Sequence, residues 1–455
     1  MIASPFIDDS DMHVTKHLLP AFALSLCIAQ AHSAGAPEPT PCPAPVPESA
    51  RCYTGRDDAG AFYWIAIPKD WNRVLVMHAH GGPETGPPKL ERSEEDLKRW
   101  AVTVRAGYAW AASTYRRGGY GVTMAAEDTE RLRQIFVSHF GTPRRTLLHG
   151  QSYGGSVASK AAELYAPPGA KSPYDGVVLT SGVLGGGNNA YDFRLDLRVV
   201  YQYLCHNHPR ADEPQYPLWK GLPKDSKLTR AELAARVKEC TGVGLPAAQR
   251  TPEQAARLKT ILSVTKIDER SLVGHLSWAT WLFQDPVQSR LEGRNPFGNI
   301  GVAYRGSNDD AALNAGVARY AADPQAQGEL AADSLPTGRT SLPTVTLHAI
   351  DDPTAFVELE DLYRRIRESA GTGDKLVQTF STEREHSYLS DSEYPALFTA
   401  LLDWIDKGEK PTPESIALLC KAVMPRYRPD GKNDCHIQPG WHPASLESRV
   451  APRSP

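Results

Sequence analysis

A serine stands at the centre of Gly150-Gln151-Ser152-Tyr153-Gly154, a G-x-S-x-G pattern placed between the apolar run Thr146–His149 and an alanine-rich segment ending at Tyr165. A sharp strand-to-helix turn of this kind lifts a serine hydroxyl above a sheet, and glycines two positions before and after it let strand and helix approach closely. The chemistry open to Ser152 is nucleophilic attack, which at neutral pH needs a base within hydrogen-bond reach. His386 is the candidate base, because it follows the last predicted strand and its loop and precedes a final helix, whereas His436 and His442 lie at no predicted strand end. The acid that orients such a base belongs at a strand end between the two. Asp351 and Asp352 both follow Thr344–Ile350, and position alone leaves either open. Attack on a carbonyl also calls for N–H donors aimed at the developing oxyanion. The backbone amide of Tyr153 supplies one, and the turn His80-Gly81-Gly82-Pro83 supplies another through Gly81 or Gly82.

These residues need a scaffold that carries each to one edge. Strands are predicted at Tyr63–Pro68, Val74–His78, Gly107–Tyr115, Thr146–His149, Asp175–Ser181, Thr344–Ile350 and Lys375–Phe380, the first two as a hairpin or adjacent pair at a sheet edge around Asp70-Trp71-Asn72. Helices are predicted at Thr123–His139, with Ile135 and Phe136 inward, at Ser156–Tyr165, Val357–Ser369 and Tyr394–Ile405. Alternating strands and helices specify a mostly parallel sheet covered on both faces. The rhythm breaks over residues 186–340, a Pro-punctuated helical stretch read as an inserted cap. The division is therefore a leader over 1–34, a Pro-rich segment over 35–59, a core in two parts at 60–185 and 341–410 around that cap, and a Pro-rich tail over 411–455.

With 41% hydrophobic and 23% charged residues among 455, the chain has material for a large core. A net charge of -3 supplies no basic field, so nucleic acid and anionic membranes are not the expected partners. Lys16 and His17 ahead of the apolar run Leu18–Ala31, with Ala29-Gln30-Ala31 or Ala34 for cleavage, read as an export signal, and Asp8, Asp9 and Asp11 favour Met12 as the start. Cys27 follows Leu26 and not a small residue, so no lipid anchor is expected. The six remaining cysteines fall into the couples Cys42/Cys52, Cys205/Cys240 and Cys420/Cys435, an even count suited to an oxidising compartment. Cys205-His206-Asn207-His208 reads as a disulfide beside two exposed histidines, since no second ligand cluster accompanies it. Trp278, Trp281 and Phe283 read as cap core or, alternatively, as an aromatic pocket lining.

Taken together, HGGP, GQSYGG, TLHAIDDP and the late His386 resemble the α/β-hydrolase superfamily over roughly residues 60 to 410. The segment around His348 resembles the HGxxD pattern of these hydrolases, which favours Asp352 over Asp351 and leaves His348 a structural role. HGGP with GQSYGG is also similar to the proline iminopeptidase group, whose helical cap follows the same strand. The aromatic-Asp-Gln-Arg-Gly element of that group is replaced here by Ser113-Thr114-Tyr115-Arg116-Arg117-Gly118-Gly119. The stretch GYAWAASTYRRGGYG is more similar to secreted bacterial hydrolases described as esterase-like. The resemblance implies a secreted Ser152/His386/Asp352 hydrolase of a small-molecule carboxylic ester, without cofactor, metal or membrane anchor. An exported aminopeptidase or amidase is the alternative. It would require a cap carboxylate for a substrate ammonium, for which Glu213, Asp268, Glu269, Asp309 and Asp310 are available. A non-catalytic binding protein on the same fold is the third reading.

Overall fold

The computed structural model describes residues 36–453. The leader expected over 1–34, with Met12 and Cys27, lies outside the described residues. Nine strands form one sheet: β1 (Glu38–Thr40), β2 (Arg51–Arg56), β3 (Phe62–Ile67), β4 (Val74–Ala79), β5 (Ala109–Ser113), β6 (Arg145–Gln151), β7 (Gly176–Thr180), β8 (Thr344–Ala349) and β9 (Leu376–Ser381). Their order is β1-β2-β3-β5-β4-β6-β7-β8-β9. The first four in that order pair antiparallel, and every pairing from β5/β4 onward is parallel. β4 through β8 are buried at nearly every position, and β4, β5 and β7 read accordingly as apolar runs without alternation. Helices cover both faces, including Val122–Phe140, which turns Ile135 and Phe136 inward, and Glu393–Lys407 on the opposite side. This is the α/β-hydrolase fold.

One expectation is corrected at the first edge. The strands around Asp70-Trp71-Asn72 are not a hairpin: β5 lies between them, with Trp64 opposite Ala112 on one side and Val76 opposite Trp110 on the other. The loop between them is tied to the start of β5 instead. The Asn72 amide donates to the Gly107 carbonyl at 3.1 Å, and the Trp71 indole donates to the Val74 carbonyl at 2.7 Å. The Pro-rich segment also contributes β1 and β2, joined by Cys42–Cys52. At the other end of the chain, the tail folds into the helix Pro413–Tyr427, whose N-terminus is closed by a Thr412/Ser415 capping box with Pro413 in the first turn. Cys420–Cys435 then returns the chain to the outer edge of β9, where the Gln438 amide donates to the Phe380 carbonyl at 2.7 Å.

Between β7 and β8 the named elements are helical, from Gly186–Cys205 to Pro324–Ser334. Asp333 fastens the end of this insertion to the core by accepting from the Val122 and Thr123 amides at 2.9 Å each, where the positive end of the helix dipole favours a carboxylate. Asp285 does the same for the Tyr120 amide at 2.6 Å. Among the described residues no helix is long and apolar enough to cross a membrane.

Cys205–Cys240 bridges a separation of 35 residues inside the insertion, and the lost loop entropy of the unfolded chain corresponds to about 4 kcal/mol. Replacing both cysteines with serine is expected to lower the melting temperature and to open the 206–229 segment to limited proteolysis, while the 60–185 core fragments remain resistant. Calorimetry and mass mapping of the nicks check this.

Candidate active site

β6 ends at Gln151, and the next residue turns back on itself: Ser152 has φ 56° and ψ −122°, a conformation costing about 1 to 3 kcal/mol for a residue with a side chain. The helix begins at once with Tyr153, three residues earlier than the sequence indicates. The flanking glycines are needed for close approach. A Cβ on Gly154 would stand 1.9 Å from the Ala79 carbonyl oxygen, and one on Gly150 would stand 2.1 Å from the Gly154 carbonyl oxygen.

The turn presents the Ser152 hydroxyl to His386, which lies in the loop after β9, with Oγ and Nε2 2.8 Å apart. The other ring nitrogen, Nδ1, lies 2.8 and 3.0 Å from the two carboxylate oxygens of Asp352, in the turn after β8. An Nδ1–H donating to this carboxylate leaves Nε2 free to accept the serine proton. The Asp352 side chain is fully buried, and its Oδ1 also accepts from the Thr354 and Ala355 amides at 2.7 and 2.9 Å. Burial works against its charge, but His386 and His348 hold the carboxyl well below the usual carboxylate range. Asp351 takes no part: it is exposed, 3.7 Å from Arg384.

His348 sits behind the acid, wholly buried, with Nε2 3.3 Å from Asp352 and Nδ1 3.4 Å from Glu360. Burial opposes its protonation, yet these two carboxylates raise it to about 10. Glu360 in turn accepts from Thr346 at 2.8 Å and from the Gln378 amide at 2.6 Å. Glu360 carried no signal in the sequence beyond lying on a helix after β8.

The oxyanion candidates lie beside Ser152, in the turns that follow β4 and β6. Gly81 lies against Gln151 and Ser152, since a Cβ there would come 3.1 Å from the Ser152 Cβ. The amides of Gly81, Gly82 and Tyr153 donate to no protein acceptor among the described residues. Arg92 fixes the turn by donating to the Gly81 carbonyl at 2.9 Å. The Tyr153 side chain points away, its hydroxyl accepting from the Gly121 amide at 3.0 Å.

These groups open on a cavity of about 400 Å³ lined by the glycine turn, Ser152, His386 and, from the insertion, Arg230, Trp278, Trp281 and Leu282. Trp278–Leu282 is a π-helical stretch, a widening of the helix often found at functional sites. The aromatic cluster therefore divides: Trp278 and Trp281 face the cavity, while Phe283 is buried and stacks on Phe297 at 4.2 Å. The five insertion carboxylates considered for an ammonium all lie off this cavity. Glu213 pairs with Arg236, Glu269 with Arg250 and Asp268 with Arg270, Asp309 caps a helix, and Asp310 accepts from Ser307. His206 is exposed, as expected beside its disulfide, but His208 is buried with its ring 2.9 Å from the Thr280 hydroxyl. No cluster suited to a metal ion occurs among the described residues.

No protein-family model matches the chain, and no curated protein does. Among solved structures it is similar to an esterase from Aspergillus oryzae, at 14% identity over 83% of this chain and 86% of that one, with a TM-score of 0.44. A rice cell wall degrading esterase from Xanthomonas oryzae is similar at 14% identity over 83% and 90%, with a TM-score of 0.35. An acylaminoacyl peptidase from Pyrococcus horikoshii is similar at 10% identity over 72% of this chain and 35% of that one, with a TM-score of 0.30.

The buried His348 charge has a pH signature. Its folded value lies above the unfolded value of about 6.5, so its stabilisation is complete below that pH and is lost as pH rises through about 10. His348→Gln is expected to destabilise the fold by about 3 kcal/mol at pH 6, the usual cost of breaking a buried ion pair. The gap to wild type should narrow steadily above pH 7, as paired thermal melts across that range would show.

Proposed function

We propose that this chain is an exported serine hydrolase that cleaves a carboxylic ester of a small molecule through an acyl-enzyme. The observation that carries the proposal is the unbroken hydrogen-bonded line from the Ser152 hydroxyl through His386 to Asp352, opening on a cavity of about 400 Å³. Ser152 Oγ attacks the ester carbonyl while its proton passes to His386 Nε2. The oxyanion that forms faces the amides of Tyr153 and of Gly81 or Gly82, each such donor being worth about 3 to 4 kcal/mol in the transition state. Collapse expels the alcohol, protonated by His386, and leaves the acyl group on Ser152. A water deprotonated by His386 then attacks the acyl carbonyl, and release of the acid restores the serine. Asp352 fixes the imidazole tautomer and stabilises the imidazolium without accepting its proton. These steps call on no cofactor.

Export is supported by the three disulfides and by the leader-like sequence ahead of them. The aminopeptidase alternative needs an acidic group for the substrate ammonium, and the insertion's candidate carboxylates are engaged elsewhere.

The test is a matched panel of nitrophenyl esters and aminoacyl nitroanilides. Esters are expected to turn over, with Ser152→Ala reducing kcat by at least about 10⁴-fold. Anilide cleavage alone would replace the ester reading with the peptidase one, and inertness of wild type toward both would favour a binding protein. Within the same assay Asp352→Asn should cost about 10⁴-fold in kcat and Asp351→Asn no more than about twofold, because only the former leaves the imidazole in the wrong tautomer.

A further inference from the structure

The wall of the Ser152 cavity carries two arginines that form no ion pair among the described residues. Three arginines line it: Arg92, Arg99 and Arg230. The two acidic residues in the same lining, Glu84 and Glu95, both lie beside Arg92, at 3.3 and 3.6 Å. Asp96, 3.2 Å from Arg92, is buried and pushed up to about 7, so its own charge is only partly present at neutral pH. Arg99 and Arg230 are left over. Both are exposed, and neither forms an ion pair among the described residues.

The two come to the cavity lining from different parts of the chain. Arg99 closes the core helix Leu90–Arg99, and Arg230 opens the cap helix Arg230–Thr241. Each guanidinium stands over an indole, Arg99 at 5.4 Å from the Trp100 ring and Arg230 at 4.7 Å from the Trp281 ring. Stacking of this kind holds the planar fork of an arginine ready for a bidentate acceptor such as a carboxylate.

A third charge stands behind the cavity wall. Arg194 is 3% exposed, lies 5.6 Å from the ring of the lining Trp278, and has no carboxylate within reach among the described residues. Its guanidinium bonds to Tyr191, but Nε and Nη1 have no hydrogen-bond partner among the described residues. Burial lowers its pKa to about 10, which leaves it cationic at neutral pH. A buried cation without a counter-ion is costly, and the field it projects favours an anion in front of Trp278. This excess is local, since the chain as a whole has a net charge of -3.

We propose that the ester cleaved at Ser152 bears a free carboxylate, received between Arg99 and Arg230 at the cavity mouth and favoured by the unpaired charge of Arg194. The inference rests on the ester-hydrolase reading above and names its substrate class. The carboxylate can belong to the acid part or to the alcohol part of the ester, and the experiment separates the two. One arm compares the mono-4-nitrophenyl ester of adipic acid with its methyl-capped form. The other compares 4-acetoxybenzoate with its methyl ester, reading phenol release. Each arm gives a ratio of kcat/KM for the charged over the capped ester, measured at low salt for wild type and for Arg99→Gln/Arg230→Gln. Dividing the wild-type ratio by the variant ratio cancels the intrinsic reactivity of the esters.

The quotient is expected to be at least about tenfold in one arm, the contribution of a hydrogen-bonded ion pair, and that arm identifies the part bearing the carboxylate. The wild-type ratio should also fall as salt rises to about 0.5 M, which needs no variant to fold. Quotients near one in both arms, or a ratio indifferent to salt, with all four esters turned over, would overturn the inference and leave the ester reading standing. Failure of wild type to cleave any of the four would overturn both.

Discussion

The contact between the Gly154 backbone and the Ala79 carbonyl holds the candidate site together, because it presses the start of the nucleophile helix against the end of β4 with no room for a side chain. It places the Ser152 turn and the glycine turn after β4 within one site, so that the Ser152 hydroxyl and the amides of the glycine turn share a geometry set by the sheet. The strain this imposes on Ser152 is met locally. Its amide donates to the Thr180 carbonyl at 3.0 Å, and its own carbonyl accepts from the Gly155 and Val183 amides at 2.9 and 3.0 Å. Three such bonds at about 1 kcal/mol each are comparable with the strain itself and offset it.

A second constraint lies under the acid. A carboxylate sealed from water is tolerated only if its lone pairs and charge are matched. At Asp352 two backbone amides and two imidazoles do so, and the alternation continues through His348 to Glu360 and its donors Thr346 and Gln378. The order acid, imidazole, acid runs from the helix Leu359–Ser369 to the cavity, so the position of His386 is referred to two strands and a helix and not to its own loop alone. A loop histidine gains the precision of an element residue by this means.

Much of this was legible in the sequence where a single short segment sets the outcome. The elbow, the glycine turn and the acid after TLHAI are local patterns, and each occupies the end of the strand expected for it. What the sequence did not disclose depends on contacts between distant segments. The insertion of β5 between β3 and β4 is a pairing over about 50 residues that apolar strands buried on both faces do not specify by pattern. β1 and β2 were hidden because a short, half-exposed edge strand among prolines has little periodicity to read. The tail helix carries a local start signal in Thr412 and Pro413, but the Pro-rich composition of the segment masks it. The division of Trp278 and Trp281 from Phe283 follows from a π turn that no composition or period announces.

The cavity separates two duties along the chain. Its floor, Ser152 with the glycine turn and His386, belongs to strand ends that tolerate little displacement, while its roof belongs to the insertion, fastened through Asp333 and Asp285 and, at the far end, through Arg453 bound to Asp196 at 2.8 Å. Sequence change in the roof can therefore alter what the cavity accepts without moving the hydroxyl, the imidazole or the carboxylate. Charge follows the same division. The buried ionic groups of the floor are paired with one another, and the unpaired cations Arg230 and Arg194 stand in the roof, with Arg99 on the core helix. On that arrangement the proposed reactivity rests on the sheet, and the proposed selectivity on the arginines and indoles around the cavity, Arg230, Trp278 and Trp281 from the insertion and Arg99 from the core.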